Sequence, residues 1–190
     1  LVKSDIVPEY GATAEKRMKK LNAVIEKCRR YGIKTYLFSV DPASTYKNEK
    51  LLKNHPDMLG DEGNNWISHL CPSTEKGLAY IKEAITKVFT EAPGLSGYIN
   101  LSVGEAESHC ASTSKLICKR CQKKFGSLGK TLAFVEKTIA DTMRSVAPDA
   151  EYISWTYAQR NWKDEDDERK KDSSDTELHS KQIEDPKWLS

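Results

Sequence analysis

Gly97-Tyr98-Ile99-Asn100-Leu101-Ser102-Val103 is the stretch that decides the fold. It is short, carries β-branched and aromatic residues, and follows the helix-closing pair Pro93-Gly94, which predicts a buried strand. Two other runs read the same way. Ile33-Lys34-Thr35-Tyr36-Leu37-Phe38-Ser39-Val40 ends at Asp41-Pro42, and Glu151-Tyr152-Ile153-Ser154-Trp155-Thr156-Tyr157 follows Pro148-Asp149. A helical pattern precedes each run. Residues 13–31 place Met18, Leu21, Val24, Ile25 and Cys28 at helical spacing, with Thr13 at the N-cap and Gly32 past the last turn. Ser73 or Thr74 caps a second helix with the apolar face Leu78, Ile81, Ile85, Val88 and Phe89. A third covers about 128–146, with Leu132, Val135, Ile139 and Met143 on one face. Helix and strand thus alternate three times, the signature of parallel strands joined by crossovers.

The connections are asymmetric. Those leading from a helix into a strand are short: Gly32 alone, then 93–96, then 147–150. Those following strands are long: 41–72, with one short helix expected near 49–54, and 104–127. Long loops inside a compact domain are usually functional or disordered, and parallel α/β folds build their sites at the carboxyl ends of strands. No G-x-G-x-x-G or Walker-type loop occurs, which argues against nucleotide binding.

Length and charge set the limits. The chain has 190 residues, 38% hydrophobic and 31% charged, with 30 Lys+Arg against 28 Asp+Glu for a net of +2. That balance argues against nucleic acid as a partner. No apolar run approaches the roughly 18 residues of a membrane span. Residues 163–190 hold 6 basic and 10 acidic side chains, leaving 24 and 18 in residues 1–162. The organisation expected is one domain over 1–162 and a charged peripheral tail over 163–190. The chain starts at Leu1 with no secretory apolar segment after it, so a processed, trimmed or fragmentary chain is expected.

Candidate chemistry collects after the strands. Glu105 and Glu107 follow the second strand, where a carboxylate is placed for acid/base work; both also read as solvated loop acids. Asp41 ends the first strand in the equivalent position, where it can bind a sugar hydroxyl or simply start an Asp-Pro turn. Trp155 and Tyr157 share one face of the third strand, with Trp162 beyond and Trp66 in the first long loop. Such rings stack on sugars or pack in a core. Cys110 and the pair Cys118-x-x-Cys121 put three thiols in one loop beside His109, with Cys71 the candidate fourth and Cys28 on the apolar face of the first helix. This spacing suits a structural tetrahedral zinc site; disulfides and free thiols remain the alternatives.

Leu70-Cys71-Pro72-Ser73-Thr74, a helix, and then 97–105 ending in Gly104-Glu105 together resemble the family 20 glycoside hydrolases, the β-N-acetylhexosaminidases. The wider set resembles a bacterial hexosaminidase-like group of barrel proteins. It comprises Tyr31 to Leu37, Asp41-Pro42, His55 to Gly60, Glu105 with His109-Cys110, Cys118-x-x-Cys121, and Pro148-Asp149-Ala150 leading to Trp155. The resemblance covers about residues 5–162. It implies a (β/α)8 barrel and carbohydrate hydrolysis, with Glu105 at the family's general acid. Gly104 stands where the family carries the Asp that orients the substrate's acetamido group.

Three readings follow. The first is a glycoside hydrolase with Glu105 as general acid/base, Glu107 or a group outside this chain as second carboxylate, and Asp41, His109, Trp155 and Tyr157 shaping a sugar pocket. The second is a non-catalytic carbohydrate-binding protein on the same scaffold. The third is a zinc-stapled interaction module. A complete (β/α)8 barrel takes about 250 residues, so three strands in this length predict a partial barrel.

Overall fold

The computed structural model describes residues 1–40, 45–46, 54–60, 67–103, 109–110 and 118–156. The elements in chain order are helix α1 (Ala14–Arg30), strands β1 (Tyr36–Val40) and β2 (Thr45–Tyr46), a 3-10 turn (Pro56–Met58) and strand β3 (Ile67–Ser68). Helix α2 (Glu75–Glu91), strand β4 (Gly97–Val103), helices α3 (Lys119–Phe125) and α4 (Leu128–Val146) and strand β5 (Glu151–Thr156) follow. The fold is mixed α/β. Its centre is a three-stranded parallel sheet in the order β1-β4-β5.

The sheet order runs in one direction, and the helices share one of its faces. Ile81, Ile85, Val88 and Phe89 of α2 and Val135, Ile139 and Met143 of α4 form one buried cluster with Tyr98 of β4. Met18 and Ile25 of α1 join it, and Leu37 and Tyr152 pack against it from the neighbouring strands. Alternation along each strand sends Leu37, Tyr98 and Tyr152 toward the helices. Phe38, Ile99 and Ile153 form the next rung, on the opposite face. There Phe38, Ile153 and Trp155 are 43–50% exposed.

One buried polar cluster joins the helix layer to the sheet. Glu136 of α4 is buried, and its carboxylate accepts from the Asn100 amide at 2.8 Å and the Tyr152 hydroxyl at 2.6 Å. At the amino end of the sheet, Tyr36, Gly97 and Glu151 form one rung. Tyr36 donates to Glu151 at 2.7 Å across Gly97, where a Cβ would sit 2.2 Å from the Glu151 carbonyl oxygen.

Residues 1–13 lie along α2 as a strap. Val7 is fully buried in the main core. The Ser4 hydroxyl and the Asp5 amide donate to Glu83 at 2.5 and 2.6 Å, and Lys87 bridges Asp5 and Glu83. Tyr10 packs on Tyr80 with ring centroids 6.1 Å apart.

Several expectations are refined. Val24, expected on the apolar face of α1, is 54% exposed, because the buried stripe is Ala14, Met18 and Ile25. Thr13 occupies the N-cap without a side-chain cap bond. The first strand starts at Tyr36, and Ile33 stays exposed outside it. The first long connection contains the antiparallel pair β2–β3, and the second contains α3. Most of the short helix expected near 49–54 lies outside the described residues, as does the tail over 163–190. Among the described residues, no helix is long and apolar enough to cross a membrane.

Candidate metal centre

Three short segments run side by side after the sheet strands. Leu59 bridges Leu70 antiparallel, and Leu70 bridges His109 parallel. The Gly60 amide donates to the His69 carbonyl at 2.7 Å, that of Cys71 to Met58 at 2.9 Å, and that of Cys110 to Leu70 at 3.2 Å. This pairing fixes Cys71 and Cys110 on adjacent segments. Cys71 is then anchored to the start of α2. The Thr74 hydroxyl donates to the Cys71 carbonyl at 3.0 Å and accepts from the Gly77 amide at 3.0 Å. Gly77 is required here, since a Cβ on it would lie 2.3 Å from the Cys71 oxygen.

The other two thiols come from α3. Cys118 is its N-cap residue, and Cys121 lies one turn on, with the Gln122 amide donating to the Cys118 carbonyl at 2.9 Å. Helical geometry brings residues three apart onto one side, so Cys-x-x-Cys presents both sulfurs together. Phe125, from the same helix, packs against the thiol cluster and meets Phe134 of α4 at 4.8 Å. The Arg120 guanidinium, between the two cysteines, donates to the Leu59 carbonyl.

The four sulfurs converge. Cys71, Cys110, Cys118 and Cys121 are all buried, and their Sγ atoms lie within 4.8 Å of one another. Cys71 Sγ is 3.7 Å from both Cys118 Sγ and Cys121 Sγ. A tetrahedral ion with bonds of about 2.3 Å spaces its sulfurs about 3.8 Å apart. All five cysteines, Cys28 included, are free thiols rather than disulfides. The Ser73 hydroxyl donates to Cys121 Sγ at 3.1 Å, the kind of outer hydrogen bond that orients a ligand. Among the thiols themselves, hydrogen bonding from Cys110 holds Cys71 down to about 7. The bond to Cys118 pushes the Cys110 thiol up. Binding of a cation by the four sulfurs would displace their protons.

The set can hold one metal ion, and its chemistry fits a structural role. Four sulfur donors fill a tetrahedron and leave no open position for water or substrate. Thiolates favour a soft or borderline cation such as zinc over magnesium or calcium. Among the described residues, this is the one group of His, Cys, Asp and Glu side chains gathered closely enough for a metal.

The sequence candidates separate into three groups. Cys110, Cys118, Cys121 and Cys71 are brought together as expected. His109 is wholly buried in the three-segment layer, and Trp155 is half exposed on the open sheet face, edge-on to Phe38 at 5.8 Å. Asp41, Glu105, Glu107 and Tyr157 lie outside the described residues, as do Trp66 and Trp162. Sequence reasoning missed Gly60, Gly77, Ser73 and Arg120, which shape the thiol site. Only the Ser73-Thr74 cap signal beside Cys71 hinted at them.

Comparison of the chain with family models, curated proteins and solved structures finds no match.

Proposed function

We propose that this chain is a zinc-stapled part of a (β/α)8-type barrel that presents a glycoside hydrolase site at the carboxyl edge of its sheet. Glu105 is the general acid/base, and zinc is held by Cys71, Cys110, Cys118 and Cys121. The observation that carries the reading is the origin of the four thiols. Cys71 comes from the connection between β1 and α2, and the other three come from the connection between β4 and α4. Those same connections carry Asp41 on one side and Glu105 and Glu107 on the other. An ion bound to all four sulfurs would tie the two connections to each other. Fixed loops are what acid/base catalysis needs, because a misplaced carboxylate loses rate steeply.

The remaining roles follow from the same edge. The half-exposed Trp155 supports an aromatic surface for a sugar ring, with Asp41 and Tyr157, which follow β1 and β5 in the sequence, as further sugar-binding residues and the buried His109 bracing the wall. A bound ion would supply structure and no Lewis acidity, since Cys71, Cys110, Cys118 and Cys121 would fill all four of its positions. The partner is a carbohydrate.

The test is turnover of a panel of aryl glycosides by the reduced, zinc-loaded chain and by Glu105→Gln. Loss of about 10²–10⁴-fold in rate is expected for a general acid/base. Activity retained in Glu105→Gln removes the assignment. Gly104, at the position of the family's substrate-orienting Asp, favours a second reading, a carbohydrate-binding protein without catalysis. Sugar binding by calorimetry with no turnover in the wild type selects it.

A further inference from the structure

We infer that Gly60 is a positioning residue of the metal centre, the floor on which Cys110 closes the tetrahedron. The inference rests on the metal-centre reading above. A Cβ built on Gly60 would lie 2.8 Å from Cys110 Sγ and 3.8 Å from Cys118 Sγ. Ordinary contact starts at 3.4 Å, so the Cys110 sulfur would have to retreat by 3.4 − 2.8 = 0.6 Å. Metal–ligand distances tolerate only about ±0.2 Å. The obstacle is the sulfur itself; the nearest backbone atom, the His69 oxygen, stands at 3.6 Å. The Gly60 backbone lies outside the left-handed region, unlike Gly11, Gly32 and Gly126. Glycine is therefore needed here for its missing side chain and not for its backbone freedom.

The neighbouring bonds make this floor rigid. The Gly60 amide is tied to His69, and Arg120 from within the Cys-x-x-Cys turn grips the Leu59 carbonyl. The segment cannot easily back away from the sulfurs. The centre is thus built from four chain segments, although only three supply ligands. The 54–60 turn is part of the site through an absence of atoms, which no ligand motif encodes.

The experiment is a titration of the reduced, metal-free full chain with Co²⁺, followed by competition of Zn²⁺ against a chromophoric chelator. Gly60→Ala is expected to weaken zinc by about tenfold or more, the usual scale for residues that orient ligands, and to alter the cobalt–thiolate spectrum. Gly129→Ala, in α4 with no atom within 4 Å of its Cβ, should match the wild type. The decisive comparison is Gly60→Ala added to Cys110→Ala. With the sulfur gone the added methyl keeps only ordinary contacts, to the His69 oxygen at 3.6 Å and Cys118 Sγ at 3.8 Å, so its effect on affinity and on the far-ultraviolet spectrum should vanish. Equal affinity of Gly60→Ala and wild type overturns the inference, as does an equal penalty in both backgrounds or failure of Cys110→Ala to restore a misfolded Gly60→Ala. A wild type that takes up neither ion overturns this inference and the metal-centre reading together.

Discussion

Glu136 offers the sharpest test of how the helix layer is joined to the sheet. Its carboxylate is 1% exposed and accepts from Asn100 at 2.8 Å and Tyr152 at 2.6 Å, which ties α4 to both β4 and β5. Glu136→Ala removes the shared acceptor of both bonds and leaves a void. Losing the acceptor of a buried or part-buried bond costs about 1–3 kcal/mol, and the lost methylenes add a cavity term. The expected destabilisation is about 3–5 kcal/mol, a large share of the roughly 5–15 kcal/mol of a typical domain. Glu136→Gln is different, because the amide oxygen still accepts from Asn100 and the Tyr152 hydroxyl can turn to accept from the amide nitrogen. It should cost about 1–2 kcal/mol. Urea unfolding of the zinc-loaded protein, followed by circular dichroism, reads both. With a slope of about 2 kcal/mol per molar, the alanine variant shifts the midpoint down by about 1.5–2.5 M. A shift below about 0.5 M for Glu136→Ala, or equal shifts for the two variants, would refute the claim that this carboxylate serves as the shared acceptor.

Two other perturbations probe the strap and the seat of Cys71. Glu9 is held down from 4.5 to about 2, first by the hydrogen bond from Asn54 and also by His55 at 3.1 Å. A depressed carboxylate contributes stability that is complete above about pH 4.5 and lost as the pH falls toward 2. Amide exchange at Val7 and Tyr10 should therefore accelerate over that window in the wild type, and Glu9→Gln should flatten the dependence. Thr74→Ala removes the cap of α2 and the bond to the Cys71 carbonyl. It should cost about 1–2 kcal/mol and about 3–6 °C in Tm, with Thr74→Ser near wild type by calorimetry.

What could be read from the chain follows from how local each signal is. The 97–103 strand and the 128–146 helix were legible at their true bounds. Their apolar patterns are strong, and Pro93-Gly94, Ser127 and Pro148 punctuate them. Parallel pairing was legible from the alternation of elements. By contrast, β2 and β3 are two residues each and pair across about twenty positions, so no periodicity can develop in either. Helix α3 reads Lys119-Arg120-Cys121-Gln122-Lys123-Lys124-Phe125, with only two apolar side chains. It holds its place through the thiol cluster and Phe125 rather than through an amphipathic face. The thiols were legible as a set because cysteine types name their own chemistry. Gly60 was not, because its partner sulfur lies fifty residues away.

The two buried clusters divide the work of holding this chain together. The main one lies between the helices and one face of a three-stranded sheet, and among the described residues it reaches Met58, Leu59 and Leu70 on the loop side. Beyond those, the second cluster among the described residues is Cys71, Cys110, Cys118 and Cys121, with Phe125 against them. Four thiols offer little apolar area, and left protonated they supply only weak hydrogen bonds to one another. Hydrophobic burial alone therefore gives this end of the molecule little stability. A structural zinc site contributes on the order of 10–16 kcal/mol to the state that binds it, comparable with the whole stability of an ordinary domain. Zinc bound by these thiols would concentrate that free energy where the apolar core is thinnest, on the segments that enter α2 and α4. It follows that removing metal should loosen the 54–60, 69–71 and 118–125 segments first and leave the helix–sheet layer standing, because that layer's contacts do not pass through the thiol cluster. With zinc bound, the thiol site would be a local staple on the loop edge, the edge that follows β1 and β4 in the chain.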